Sequence, residues 1–169
     1  MKGDRIVVDD EQFRTLFASF TTGVSIVTAL GVDGRPAGFT GNAVCAVSAQ
    51  PPLLLVCVDK HSNTLPVIAE SGTFVVNVLA EEGEAASRIF AGKAPDKFAG
   101  QRWVPARVAG GTPILVDVIL AYAACVVVDT IEAGDHWIFI ARIEEAETFP
   151  RSPLVYYQRG YGLTSRARR

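Results

Sequence analysis

Phe13, Leu16, Phe17 and Phe20 recur at spacings of three and four, which predicts a short amphipathic helix near the start of the chain. Asp9 or Asp10 can cap it, and Glu11 adds negative charge to its first turn. The pattern then changes period. Residues 24–30 are apolar and β-branched, and Asp33-Gly34 gives a hairpin signal into residues 38–40. Pro51-Pro52 interrupts the ladder, because neither proline can donate a hydrogen bond. The unbroken apolar run 53–58 predicts a central strand buried on both faces. Ser62, Asn63 and Thr64 are capping residues, Pro66 suits a first helical turn, and Gly72 suits a helix stop. Residues 73–79 predict a strand, and 81–90 a helix with acids at its start and Arg88 near its end. Residues 91–111 show no period and predict a long loop. Two apolar strands are expected over 114–121 and 123–131, then a turn at 132–135 and a strand from His136 through 143 toward Phe149. Strands dominate, and the helices do not alternate with them as a parallel sheet requires. The expected fold is mainly β, an antiparallel barrel with a few covering helices. No repeat or linker divides the chain, so 1–169 reads as one domain, with 1–8 an N-terminal arm and 162–169 a C-terminal tail.

Within this pattern, residues 34–64 lack bulk where a core strand wants it. Gly38, Gly41, Ala43 and Ala46 sit among Thr40, Asn42 and Ser48. Such a segment either makes room for a flat ligand, with hydroxyl and amide groups to bond it, or is a bulged core strand with no ligand.

Composition narrows the field. The 169 residues are 49% hydrophobic with mean hydropathy +0.26, enough for a sizeable core. A net charge of -2 and pI near 5.7 give no basic field for nucleic acid, and Arg166, Arg168 and Arg169 read as a solvated tail. Cys45, Cys57 and Cys125 lie in apolar surroundings without CxxC spacing, so buried, reduced thiols are expected. His61 and His136 have no ligand spacing with them, so no metal is expected. No apolar run is long enough to span a bilayer and no signal core opens the chain, which predicts a cytoplasmic protein with no membrane partner. No GxGxxG, P-loop, HExxH or GxSxG is present. An enzyme of this composition would take its chemistry from a bound cofactor.

An ordered set of short motifs gives the chain a resemblance. They are Phe20-Thr21-Thr22-Gly23-Val24, Gly38-Phe39-Thr40, Val47-Ser48 before Pro51-Pro52, and Leu55-Val56-Cys57-Val58. They continue with Phe74-Val75-Val76-Asn77-Val78-Leu79, Asp96-Lys97-Phe98, Gly134-Asp135-His136 and Pro153-Leu154-Val155-Tyr156-Tyr157. In order and spacing the chain resembles the short-chain flavin reductase family, a flavin reductase-like domain with an FMN-binding split-barrel fold. The resemblance covers about residues 13–161.

The resemblance implies a homodimer that uses NADH or NADPH to reduce FMN or FAD and passes reduced flavin by diffusion to a partner monooxygenase. It implies flavin contacts from Gly38, Thr40, Gly41, Asn42 and Ser48, from Cys57, Val58, Ser62, Asn63 and Thr64, and a phosphate contact from Lys97. Ala43, Cys45 and Ala46 stand where relatives often carry hydroxyl residues. His136 is implied to place the nicotinamide, with Tyr156, Tyr157, Arg159 and Tyr161 beside the NAD(P)H. Hydride would pass directly from nicotinamide to flavin, with no side chain as nucleophile or strong base. Two other functions fit the same residues: a flavin carrier or sensor without turnover, and a split-barrel oxidase acting on another substrate.

Overall fold

In a computed structural model, which describes residues 8–163, three antiparallel sheets carry the chain. The elements in order are α1 (Asp10–Ala18), β1 (Thr22–Gly23), β2 (Ser25–Leu30), β3 (Pro36–Gly41), β4 (Val44–Ala49), β5 (Pro52–Asp59), α2 (Leu65–Ser71) and β6 (Thr73–Leu79). A turn of 3-10 helix (Glu81–Gly83) leads into α3 (Glu84–Ala91). Then come β7 (Trp103–Pro105), β8 (Pro113–Leu115), β9 (Ile119–Ala133), β10 (His136–Thr148), β11 (Leu154–Tyr157) and β12 (Gly160–Leu163). Seven strands pair in the order β3-β2-β6-β9-β10-β5-β4. β1, β11 and β12 make a small second sheet, and β7 pairs with β8.

The mainly β, antiparallel expectation holds, and the two hairpin turns lie where the sequence puts them. Gly34 takes φ +77 between β2 and β3, and Gly134 takes φ +61 between β9 and β10. Gly72 ends α2 in the left-handed region, its N–H donating to the Ile68 carbonyl. Asp9 caps α1 through a reciprocal bond with Gln12.

Four local expectations need correction. The 53–58 run is not buried on both faces: Leu54, Val56 and Val58 point into the core, while Leu53, Leu55 and Cys57 are half-exposed on the other face. The long loop 91–111 contains β7, a strand of three residues that is too short to show a period. The break between two late strands falls after Leu115, not at Tyr122, so β9 runs unbroken through it for 15 residues. Of the three thiols only Cys125 is buried, and burial pushes it up to about 12; Cys45 is exposed and Cys57 half-exposed. The N-terminal arm apart from Val8, and the tail beyond Leu163 with its three arginines, lie outside the described residues.

Two polar networks hold the elements that frame the site. Asn77 on β6 is fully buried. Its Nδ2 donates to the Ile26 carbonyl and to Thr28 Oγ1, both at 3.1 Å, and its Oδ1 accepts the Leu115 N–H at 2.9 Å. Thr28 Oγ1 in turn donates to the Pro113 carbonyl at 2.6 Å. One amide and one hydroxyl thus join β2, β6 and β8 where no ladder joins all three. Asn77→Ala leaves the Leu115 N–H and the Ile26 carbonyl without these partners in a dry core. A loss of about 2 kcal/mol or more is expected in urea unfolding.

The second network centres on Glu145, whose side chain keeps 9% of its surface exposed. Tyr122 Oη donates to Oε1 at 2.8 Å, and Arg107 donates through its backbone N–H and Nε, each at 3.0 Å. Burial alone raises the carboxyl's pKa, but the bonds from Tyr122 and Arg107 outweigh it and hold the group below its ordinary value. A depressed carboxyl stabilises the fold above the unfolded glutamate's pKa and ceases to do so as pH falls through its folded value. Tyr122→Phe is therefore expected to cost about 1–2 kcal/mol near neutral pH. Acid titration of the urea midpoint should show that deficit shrinking as Glu145 protonates.

Candidate functional site

β3 and β4 are the two edges of the seven-stranded sheet, yet only Asn42 and Ala43 separate them in sequence. The chain leaves one edge at Gly41, paired with Ser25 of β2. It reaches the other at Ala43, whose carbonyl accepts the Cys57 N–H at 3.0 Å. The sheet does not close on itself here, and a cleft of about 570 Å³ opens beside the step, within the range of small-molecule sites.

Four segments wall the cleft. Phe39 to Ala43 form one side, and Cys57, Asp59, His61, Ser62 and Asn63 form the opposite one. The end of α3, from Phe90 to Lys93, and Lys97 supply a third wall, and His136 a fourth. Local chemistry explains each position. Thr40 Oγ1 donates to the Ser87 carbonyl at 2.6 Å, fastening β3 to α3. Asn42 Nδ2 donates to Thr22 Oγ1 at 3.1 Å, fastening the step to β1. Asp59 Oδ1 accepts the His61 N–H at 2.6 Å and folds the β5–α2 turn over the cleft. Lys97 Nζ donates to the Phe90 carbonyl at 2.8 Å and to Gly38 at 3.2 Å, and desolvation lowers its pKa from the ordinary lysine value. His136 opens β10 opposite Asp59, and its Nδ1 lies 2.7 Å from Asp135 Oδ1. That contact holds the Asp135 carboxyl below its usual range.

A smaller hollow of about 190 Å³ adjoins the cleft and shares Thr40, Gly41, Asn42 and Ala91 with it. Val24, Tyr156 and Tyr161 complete it. The two tyrosines are cross-strand partners on β11 and β12, with ring centroids 5.3 Å apart. Tyr161 is held further by Ser87 Oγ at 2.8 Å and by the Arg88 guanidinium 4.8 Å from its ring.

Of the residues singled out in the sequence, Thr40, Gly41, Asn42, Cys57, Ser62, Asn63, Lys97 and His136 converge on the cleft, and Tyr156 and Tyr161 on the hollow. Others stand apart. The space beside Gly38 belongs to Phe90, since an added Cβ would lie 2.8 Å from that ring. Val58 and Thr64 are buried, Val58 because alternation along β5 turns it inward. Ser48 pairs with Leu53 at the far end of β5, and its Oγ accepts the Gln50 N–H. Tyr157 is exposed, and Arg159 forms the β11–β12 turn with Gln158, both at positive φ. Phe39, Ala43, Asp59 and the stretch from Phe90 to Lys93 line the cleft without having been singled out for it. Asp59 had a usable signal, for Cys57, Asp59 and His61 share the two-residue period.

The donor set suits a flat ligand with a phosphate. Lys93, Lys97 and the His61 ring surround small residues, with amides and hydroxyls from Asn42, Ser62 and Asn63. The one thiol in the walls, Cys57, is pushed up by desolvation and is no thiolate nucleophile at neutral pH. Asp59 is the only carboxylate among the lining residues, so no acid–base carboxylate pair is built there. The site can bind and orient a ligand. Among the described residues no cluster of three metal-ligating side chains occurs.

Residues 17–165 match the family model described as "Flavin reductase like domain". A flavin reductase (NADH) of Kitasatospora aureofaciens is 42% identical over 157 residues, covering 92% of this chain and 82% of that protein. The HsaB reductase subunit of a flavin-dependent monooxygenase from Rhodococcus jostii is 39% identical over 155 residues, 91% of this chain and 77% of its own. Among solved structures, Streptomyces globisporus NADH:FAD oxidoreductase SgcE6 in complex with NAD and FAD fragments superposes with a TM-score of 0.84. It shares 32% identity, with 94% of this chain and 96% of that one covered. This chain belongs to the flavin reductase-like domain family.

Proposed function

We propose that the protein, acting as a single domain, is an NAD(P)H:flavin oxidoreductase that supplies reduced flavin to a separate monooxygenase. The observation that carries this reading is the cleft at the split of the sheet. It offers phosphate-seeking cations, short polar side chains and room for a flat ring, with no acid–base pair of its own. Relatives named as NADH flavin reductases and monooxygenase reductase subunits support it. Bound flavin supplies the hydride-accepting ring, and the nicotinamide supplies the hydride.

The chain's own residues bind and orient. Asn42, Ser62 and Asn63 bond the flavin's polar edge or ribityl chain, and Lys93 and Lys97 meet its phosphate. His136, held by Asp135 and paired with Asp59, positions the nicotinamide. Hydride transfer requires reacting atoms about 3–3.5 Å apart, so this alignment is the protein's main contribution.

No helix among the described residues is long and apolar enough to cross a membrane. Three free cysteines accord with work in the reducing cytoplasm. A homodimer is supported by the outer face of the large sheet. There Ile131, Ile138 and Cys57 stand in one cross-strand row, with Ile140, Leu55 and Cys45 in rows beside it. All six are exposed or half-exposed, and Cys57 belongs to the cleft as well, so the apolar strip is continuous with the site.

Oxidation of NADH and NADPH, followed with and without added FMN, FAD or riboflavin, tests the function. Rapid turnover that depends on added flavin is expected; flavin binding without turnover would make the protein a carrier or sensor instead. In the same assay His136→Ala should raise the KM for the nicotinamide about 10-fold, the loss of roughly one hydrogen bond. The Kd for flavin should stay within about two-fold, because the flavin contacts are assigned to Asn42, Ser62, Asn63, Lys93 and Lys97 and not to His136. Light scattering at micromolar concentration should give twice the 18.1 kDa chain mass, and Ile138→Lys should return it to a monomer. A wild-type monomer would overturn the dimer.

A further inference from the structure

We propose that the groove between α2 and the β9–β10 hairpin is an effector site for a neutral aromatic alcohol. The groove measures about 560 Å³, within the range of small-molecule sites, and lies on the other face of β10 from the cleft. Leu65, Ala69, Val127, Trp137 and Phe139 make its walls. A backbone bond closes each end. The Val127 N–H donates to the Gly72 carbonyl at 2.8 Å where α2 stops, and the Lys60 N–H donates to the Asp135 carbonyl at 3.0 Å beside the hairpin turn. Between these ties α2 stands off the hairpin.

The lining fixes the class of ligand. Trp137 and Leu65 pack on the core cluster that contains Ile68 and Phe139, so the apolar walls are set before a ligand arrives. A rigid indole face favours a flat ring. Polar side chains stand at one end only. Lys60 spends one of its three ammonium protons on Glu132 and keeps two. Thr130 Oγ1 has no partner among the described residues. That end offers both donors and an acceptor to a single hydroxyl. Glu132 offsets the charge of Lys60, the only ionisable side chain in the lining, so an anion gains little there. A phosphate belongs in the cleft with Lys93 and Lys97, and a neutral ring with one hydroxyl belongs in the groove.

Groove and cleft share a wall one backbone thick. Successive residues of a strand point to opposite faces. His136 and Asp59 line the cleft, while Trp137 and Lys60, the next residue after each, line the groove. His136 and Asp59 are also cross-strand partners, as are Trp137 and Val58. A ring that rests on Trp137 and bonds Lys60 therefore bears on both strand ends that carry His136 and Asp59. A ligand acts through those ends only by favouring one placement of them over another. Its effect is read in the handling of the nicotinamide that His136 positions. The effector role rests on the reductase reading of the cleft, whereas binding in the groove does not.

Two probes with one ring system and different charge, 2-naphthol and naphthalene-2-sulfonate, are titrated into the protein by calorimetry. The KM for NADH is measured with and without saturating 2-naphthol. Ala69→Trp fills the groove from an exposed position on α2, and Thr130→Val removes the hydroxyl while keeping the side chain's shape. Circular dichroism checks the folding of each. One 2-naphthol should bind per chain, about 5-fold more tightly than the sulfonate. Thr130→Val should weaken it about 5-fold, the loss of roughly one hydrogen bond, and Ala69→Trp by about 10-fold or more. Saturating 2-naphthol should change the KM for NADH by about 3-fold or more in the wild type and leave it unchanged in Ala69→Trp. Binding that survives Ala69→Trp puts the probe elsewhere, the cleft included, and overturns the proposal, as does tighter binding of the sulfonate. If Ala69→Trp lowers the mass found by light scattering, the groove is an interface between copies of the chain and the proposal falls. If the wild type shows no flavin-dependent oxidation of NADH, the reductase reading fails and the effector role with it. Turnover indifferent to bound 2-naphthol refutes the effector role alone.

Discussion

A single buried amide holds together the parts of this fold that cannot pair directly. Asn77 faces three ways, toward Ile26, Thr28 and Leu115, and Thr28 passes the connection on to Pro113. Among the described residues β8 has no ladder with the large sheet, and its only strand partner is β7. Apolar packing alone would let that two-stranded arm slide over the sheet, because hydrophobic contact has no direction. Fully satisfied polar atoms in a dry interior fix the register instead. No buried side-chain nitrogen or oxygen among the described residues lacks a partner, so the network specifies a position without leaving an unpaired group.

With the core pinned, the site follows from a sheet that ends twice at nearly the same place. β3 and β4 are six pairings apart across the sheet and two residues apart along the chain. Edge strands ordinarily invite another strand. Here the gap between them is lined by the end of α3, the β5–α2 turn and the first residue of β10, with Ser62 and Asn63 from the turn, His136 from the strand, and Lys93 just beyond the helix. The same step anchors the small sheet, since Asn42 bonds Thr22 while Thr22 pairs with Tyr156. The cleft and the tyrosine hollow are therefore two sides of one junction.

Much of this could be read from the sequence, and the failures have physical causes. Asp33-Gly34, Gly134 and Gly72 marked real turns because each needs a backbone that only glycine adopts readily. Strand β7 and the break before Ile119 were missed because three-residue strands have no period, and small alanines around Tyr122 look like an interruption in what is one long strand. The apolar face of α1 was legible as a face, yet Phe13, Leu16 and Phe17 are all more than half exposed, and Phe20 lies beyond the helix end at Ala18. Periodicity shows that a helix has two sides and is silent on what covers either. At the site, the residues on the Thr40–Asn42 strand end and the Ser62–Asn63 turn were found through their polarity. Phe90 to Gly92 were not, because their place in the wall depends on a contact between α3 and Gly38 that no local pattern encodes.

Lys97 illustrates what that architecture does to a charge. Its ammonium carries three protons, and two are already directed at the Gly38 and Phe90 carbonyls. A solvated lysine gives up much rotational freedom when it grips an anion. This one surrenders that freedom during folding, where the same two bonds join β3 to the end of α3. Any anion entering the cleft would meet a stationary cation with one proton left to offer, and the orientation of that last proton is dictated by the wall it helps to hold upright.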